Sequence, residues 1–85
     1  MHILFSKKFK KKYVKLPQSV QKSFDSRLVV FVHNQYDQIL RNHELQGEWE
    51  DFRSISITGD YRAIFEEVGD TVTFIAIGTH AELYE

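Results

Sequence analysis

The chain has 85 residues, a formal net charge of −1 and no cysteine. That is enough for one domain with a small core, and it excludes a disulfide framework and a thiolate metal site. No stretch approaches the roughly 18 apolar residues of a membrane span, and Met1-His2-Ile3-Leu4-Phe5 is too short for a secretory apolar region. The expectation is a single soluble, cytoplasmic domain over residues 1–85.

In chain order, His2 to Phe5 reads as a short first strand. Ser6 can cap a helix that runs to about Leu16, with Phe5, Phe9, Tyr13 and Leu16 on one stripe. Pro17 breaks that helix and suits the first turn of a second. There Val20, Phe24, Leu28, Phe31 and Val32 keep helical spacing, and the pattern fades near Tyr36. Residues 37–50 form a connection, in which Trp49 is expected to pack over the sheet edge. The period then changes to two: Phe52 to Thr58 alternates, with Arg53, Ile55 and Ile57 on one face. Turns at Thr58-Gly59-Asp60 and Val68-Gly69-Asp70 separate strands at Tyr61–Glu67 and Thr71–Ile77. Gly78 should release the chain, and Thr79 should cap a last helical turn. The order β-α-α-β-β-β predicts an α+β domain, a helical hairpin on one face of an antiparallel sheet.

The charge is distributed unevenly. Residues 1–27 carry net +7 and residues 28–85 carry net −8. Lys7, Lys8, Lys10, Lys11, Lys12 and Lys15 fall within nine residues of the first helix. Such a front end can follow a phosphate backbone. The plainer reading is the solvated face of an amphipathic helix. The density of lysines favours a polyanion or an acidic protein partner.

Chemistry concentrates at Gly78-Thr79-His80-Ala81-Glu82-Leu83-Tyr84-Glu85. His80 follows an apolar strand, where a rigid scaffold presents side chains outward, and histidine exchanges protons near neutral pH. Tyr84, four residues on, returns to the same face if the turn is helical. No pair of histidines has the spacing of a known metal motif, so neither a metal nor another cofactor is expected. His2 and His33 read as structural or surface residues.

Asn42-His43-Glu44-Leu45 through Gly47, Arg53, Asp60-Tyr61 and the terminal Gly-Thr-His-Ala-Glu-Leu-Tyr occur in an order that resembles the RelE/ParE superfamily of bacterial toxin–antitoxin toxins. Within it, the closest resemblance is to the YafQ-type mRNA interferases. The resemblance implies a RelE-like fold and a metal-independent endoribonuclease acting on mRNA in the ribosomal A site. It also implies a cognate antitoxin as partner, ribosomal RNA as docking surface, and no membrane. It implies a catalytic set of His43, Asp60, His80 and Tyr84. The RNA contacts would come from Lys7, Lys8, Lys11, Lys12, Lys15, Arg53, Tyr61 and Arg62.

One position departs from that subgroup: Ser56 stands where a further histidine is usual. Arg62, beside Asp60-Tyr61, is a candidate phosphate-binding cation in its place. Each residue also has a plainer role. His43 would be a surface histidine, Asp60 a turn former, Arg62 a solvated strand residue and Tyr84 a plug for the C-terminus. Two other functions share the fold: a non-enzymatic ParE-like poison of DNA gyrase, and an inactive relative that only binds its antitoxin.

Overall fold

Residues 1–84 are described by a computed structural model of the chain. Strand β1 (His2–Phe5) leads into helix α1 (Lys7–Tyr13). Ser6 starts that helix as expected: its Oγ accepts from the Phe9 N–H at 3.1 Å. The same hydroxyl donates to the Ile75 carbonyl at 3.3 Å, so the cap also pins α1 to the sheet. Helix α1 stops at Tyr13, short of Leu16. Lys15 and Leu16 close it with tight bonds to Lys12 O and Tyr13 O, because the residue before a proline avoids helical geometry.

Helix α2 (Gln18–His33) begins just after Pro17 and buries Val20, Phe24 and Phe31. Val32, about 100° round the helix from Phe31, is 53% exposed and lies off the buried stripe. The hairpin is tied by Gln21, which donates to Tyr13 O at 2.8 Å. Tyr13 donates to Asp25 Oδ1 at 2.7 Å. That bond, helped by burial and by the carboxylate's charge, raises the Tyr13 pKa.

The meander is β3 (Arg53–Ser56), β4 (Tyr61–Val68) and β5 (Thr71–Thr79), joined by β2 (His43–Glu44) from within the connection. The sheet order is β1-β5-β4-β3-β2, with β1 parallel to β5 and every other pair antiparallel. Two details differ from the sequence reading. Strand β2 has no signal in the local sequence, since its two residues sit in a polar segment. Gly78 does not release the chain: Arg62 pairs with Gly78 and Tyr61 with Thr79, so the ladder carries β5 on through Thr79. The short helix α3 (His80–Tyr84) follows at once.

A bulge sets which face each β5 side chain meets. Phe65 pairs with Phe74 and Ile64 with Ala76, leaving Ile75 as the extra residue. Before it, Val72 and Phe74 point to the helices; after it, Ile77 does, and all three belong to the main core. Phe74 is fully buried, with ring centroids of Phe5, Phe9, Phe24, Phe31 and Phe65 all within 6.0 Å. The opposite face carries two cross-strand rows, His43–Ser54–Ile64–Ala76 and Ser56–Arg62–Gly78. Among the described residues, no helix is long and apolar enough to cross a membrane.

Candidate active site

His80 opens α3, and three sets of bonds fix that helix. Thr79 and Glu82 form a reciprocal cap: Thr79 N–H donates to Glu82 Oε1 at 2.8 Å, and Glu82 N–H donates to Thr79 Oγ1 at 3.2 Å. Lys12 of α1 donates to Glu82 Oε2 at 2.6 Å. Trp49 Nε1 donates to Leu83 O at 3.0 Å, so the loop after β2 reaches across the sheet to hold the C-terminal turn. The Lys12 bond, then the Thr79 N–H, hold the Glu82 carboxyl below its ordinary pKa. Sequence reasoning misses Glu82 and Trp49 as supports of the site. The Thr79-x-x-Glu82 spacing was a capping-box signal available in the sequence.

The spacing argument for His80 and Tyr84 holds. Their ring centroids lie 4.8 Å apart. His80 itself is exposed, whereas the Tyr84 hydroxyl is buried and has no hydrogen-bond partner among the described residues. Asp60 arrives from the β3–β4 turn: its carbonyl accepts the His80 N–H at 3.1 Å. The turn is itself ordered by Thr58 Oγ1, which accepts from the Asp60 and Tyr61 N–H groups.

Arg62 stands on the sheet face away from α2, between Ser56 and Gly78, one row of strand pairs before Tyr61–Thr79 and His80. Its Nη1 donates to Thr58, Gly59 and Tyr61 carbonyls at 3.1, 3.3 and 3.1 Å. Ser56 Oγ donates to Thr58 O at 3.1 Å, so this serine braces the same turn. His43 lies on the same sheet face but stands on β2, three strands from β5 and so about 14 Å across, and its row meets β5 at Ala76, four residues before His80. It is exposed, with Nδ1 2.8 Å from Arg41 O.

Other candidates lie apart. Arg53 pairs with Phe65, on the helix side of the sheet. Its guanidinium is engaged by Asn42 Oδ1 at 2.8 Å and Glu44 Oε1 at 3.3 Å, and stands over the Tyr36 ring. Tyr61 packs against the core. Lys7, Lys8 and Lys11 are exposed along α1 and Lys15 just beyond it, whereas Lys12 is half-buried on Glu82.

A family profile described as the bacterial toxin of type II toxin-antitoxin system, YafQ, matches residues 1–85. The chain belongs to the YafQ toxin family. Solved structures carry the same fold. YafQ from E. coli strain BL21(DE3) superposes with a TM-score of 0.80 at 24% identity, over 98% of this chain and 97% of that one. The E. coli DinJ–YafQ toxin-antitoxin complex gives 0.77 at 25% identity, over 98% and 96%. The YoeB dimer from Staphylococcus aureus gives 0.76 at 15% identity, over 94% and 97%. No curated protein sequence matches the chain. The chain is thus a YafQ-family toxin of the type II class, and the expected RelE-like α+β fold is the one observed.

Proposed function

We propose that this YafQ-family toxin is a metal-independent endoribonuclease that cuts mRNA in the ribosomal A site. The observation that carries the reading is the setting of His80. It is exposed, its backbone is tied to Asp60, its ring rests on Tyr84, and Arg62 pairs with Gly78, two residues before it. Cutting RNA without a metal needs a base for the ribose 2′-OH, a cation for the phosphorane, and an acid for the departing 5′-oxygen. The 2′-oxygen, losing its proton to Asp60 or His43, attacks the adjacent phosphorus. Arg62 steadies the charge on the non-bridging oxygens with its planar fork. His80 gives its proton to the leaving 5′-oxygen, and a 2′,3′-cyclic phosphate remains.

Tyr84 takes a positioning role in this scheme. Its hydroxyl is buried away from solvent, so the ring sets the His80 imidazole and moves no proton itself. A cognate antitoxin is the expected partner, as DinJ is of YafQ in the E. coli complex. The basic face of α1 would dock on ribosomal RNA, in a cytoplasmic setting.

His80→Ala tests the reading. Loss of a positioned acid should lower cleavage on translating ribosomes by about a hundredfold or more, with the melting curve unchanged. His43→Ala and Asp60→Ala belong in the same series, since groups acting as a unit give non-additive losses. A well-folded His80→Ala that cuts at the parent rate removes the proposed site. The absence of a histidine at Ser56 favours one second reading, an inactive relative that only binds antitoxin. A parent chain that leaves mRNA intact on ribosomes yet binds its antitoxin would establish it.

A further inference from the structure

Beside the candidate site lies a concavity of about 480 Å³, lined in part by Arg27, Arg41, Arg62, Ser56, Thr58 and Gly59. Its charged residues are all arginines. Arg27 Nη1 donates to Ile39 O at 2.8 Å, and Arg62 donates to the carbonyls of the β3–β4 turn. Carbonyls aim a guanidinium without neutralising it. Among the described residues the ion pairs are Met1–Asp70, Lys12–Glu82 and Arg53–Glu44, so none of these three arginines is matched by a carboxylate.

Arg41 adds a second observation. It is exposed and held at φ 49°, in the left-handed region. That conformation sets Cβ against the following carbonyl in any residue but glycine, and such strain gathers at functional positions. The other large polar concavity, about 580 Å³, sets Glu44, Glu50, Asp51 and Glu67 around Arg53. A polyanion is repelled there and attracted here.

We propose that Arg27 and Arg41, with Arg62 at the border of the candidate site, form a phosphate-binding basin for RNA, in which Arg27 and Arg41 hold a phosphodiester next to the one that Arg62 meets. The guanidinium fork matches two phosphate oxygens. Arg62 joins the basin to the sheet face away from α2, where it shares a row with Ser56 and Gly78. The lysines of α1 lie on the other flank, since Lys12 reaches α3 through Glu82. An RNA strand would therefore run from the arginines, past His80, toward α1. That the neighbouring phosphate is the scissile one rests on the nuclease reading; the binding itself does not.

The test is the affinity of a short, uncleavable 2′-O-methyl RNA for the intact chain at several salt concentrations. Arg41→Asn keeps a residue that accepts left-handed geometry, and Arg27→Gln keeps a donor for Ile39 O. Losing one phosphate contact on a single strand should lower the salt slope by about 0.7 and weaken binding about fivefold near 0.1 M salt. Folded variants that bind with the parent's affinity and slope overturn the basin. So does a parent that binds no RNA at all. Weakened variants of a parent that cuts no mRNA leave the basin standing and remove the nuclease reading. Unchanged binding beside active cleavage does the reverse.

Discussion

At Gly78 a methyl group would lie 3.1 Å from Glu82 Oε1 and 3.4 Å from Glu82 Cβ. The first of those atoms accepts the Thr79 N–H, and its twin accepts Lys12. Space, rather than backbone freedom, makes glycine the fitting residue in Gly-Thr-His: its presence lets the carboxylate sit directly over the strand. Gly78→Ala must push that carboxylate aside by a few tenths of an ångström. The strand itself loses no bond, so global stability should stay within about 1 kcal/mol of the parent, about 4–8 °C in Tm. The amides of Glu82 and Leu83 should nevertheless exchange faster, and cleavage should fall further than stability does. Unchanged exchange in α3 would show that the cap adapts and that Gly78 has no part in placing His80.

Helix α3 has five residues, far too few to persist alone. Its order is borrowed from Thr79, Lys12 and Trp49, and one of these supports depends on pH. The bonded form of Glu82 is the carboxylate, and its pKa is lowered by Lys12 first and the Thr79 N–H second. The folded pKa therefore lies below the unfolded one. The contribution is fully present above the unfolded value, about 4.3, and disappears as pH falls through the lowered folded value. Amide exchange followed from neutral pH into acid should show α3 opening before the sheet. Glu82→Gln, which keeps an acceptor for Thr79, should remove that acid step. The same element shows what the sequence makes legible. Val20, Phe24 and Phe31 at helical spacing and Ile55 and Ile57 at strand spacing bury as their periods demand. The His80–Tyr84 contact follows from a spacing of four. Strand β2, the Ile75 bulge and the extension of β5 to Thr79 depend on partners in other strands. Local period carries no trace of them. The Asp60–His80 bond is hidden for the same reason, as it exists only once β4 and β5 are in register.

Across the whole molecule, the charge asymmetry seen in the sequence resolves into parts with different tasks. Lys7, Lys8, Lys10 and Lys11 are exposed on α1 and Lys15 just after it, where they can meet phosphates, whereas Lys12 is spent on Glu82. A count of lysines would treat all six alike; the fold does not. Reversing Lys7, Lys8 and Lys11 to glutamate should weaken ribosome binding for any message. Each lost phosphate contact should also reduce the salt slope, by about 0.9 on duplex RNA if it behaves as B-DNA does. Lys12→Met should act differently. It keeps the apolar stem and removes the ammonium that Glu82 accepts, so α3 should loosen and cleavage fall while the salt slope of binding stays at the parent's value. Two measurements separate the cases: binding titrated against salt, and cleavage on saturated ribosomes. If Lys12→Met lowers the salt slope as the exposed lysines do, its charge is reaching RNA and the Glu82 contact does not hold it. If the triple reversal leaves both slope and affinity unchanged, α1 is a solvated face. Docking would then have to rest on the arginines at the other end of the sheet.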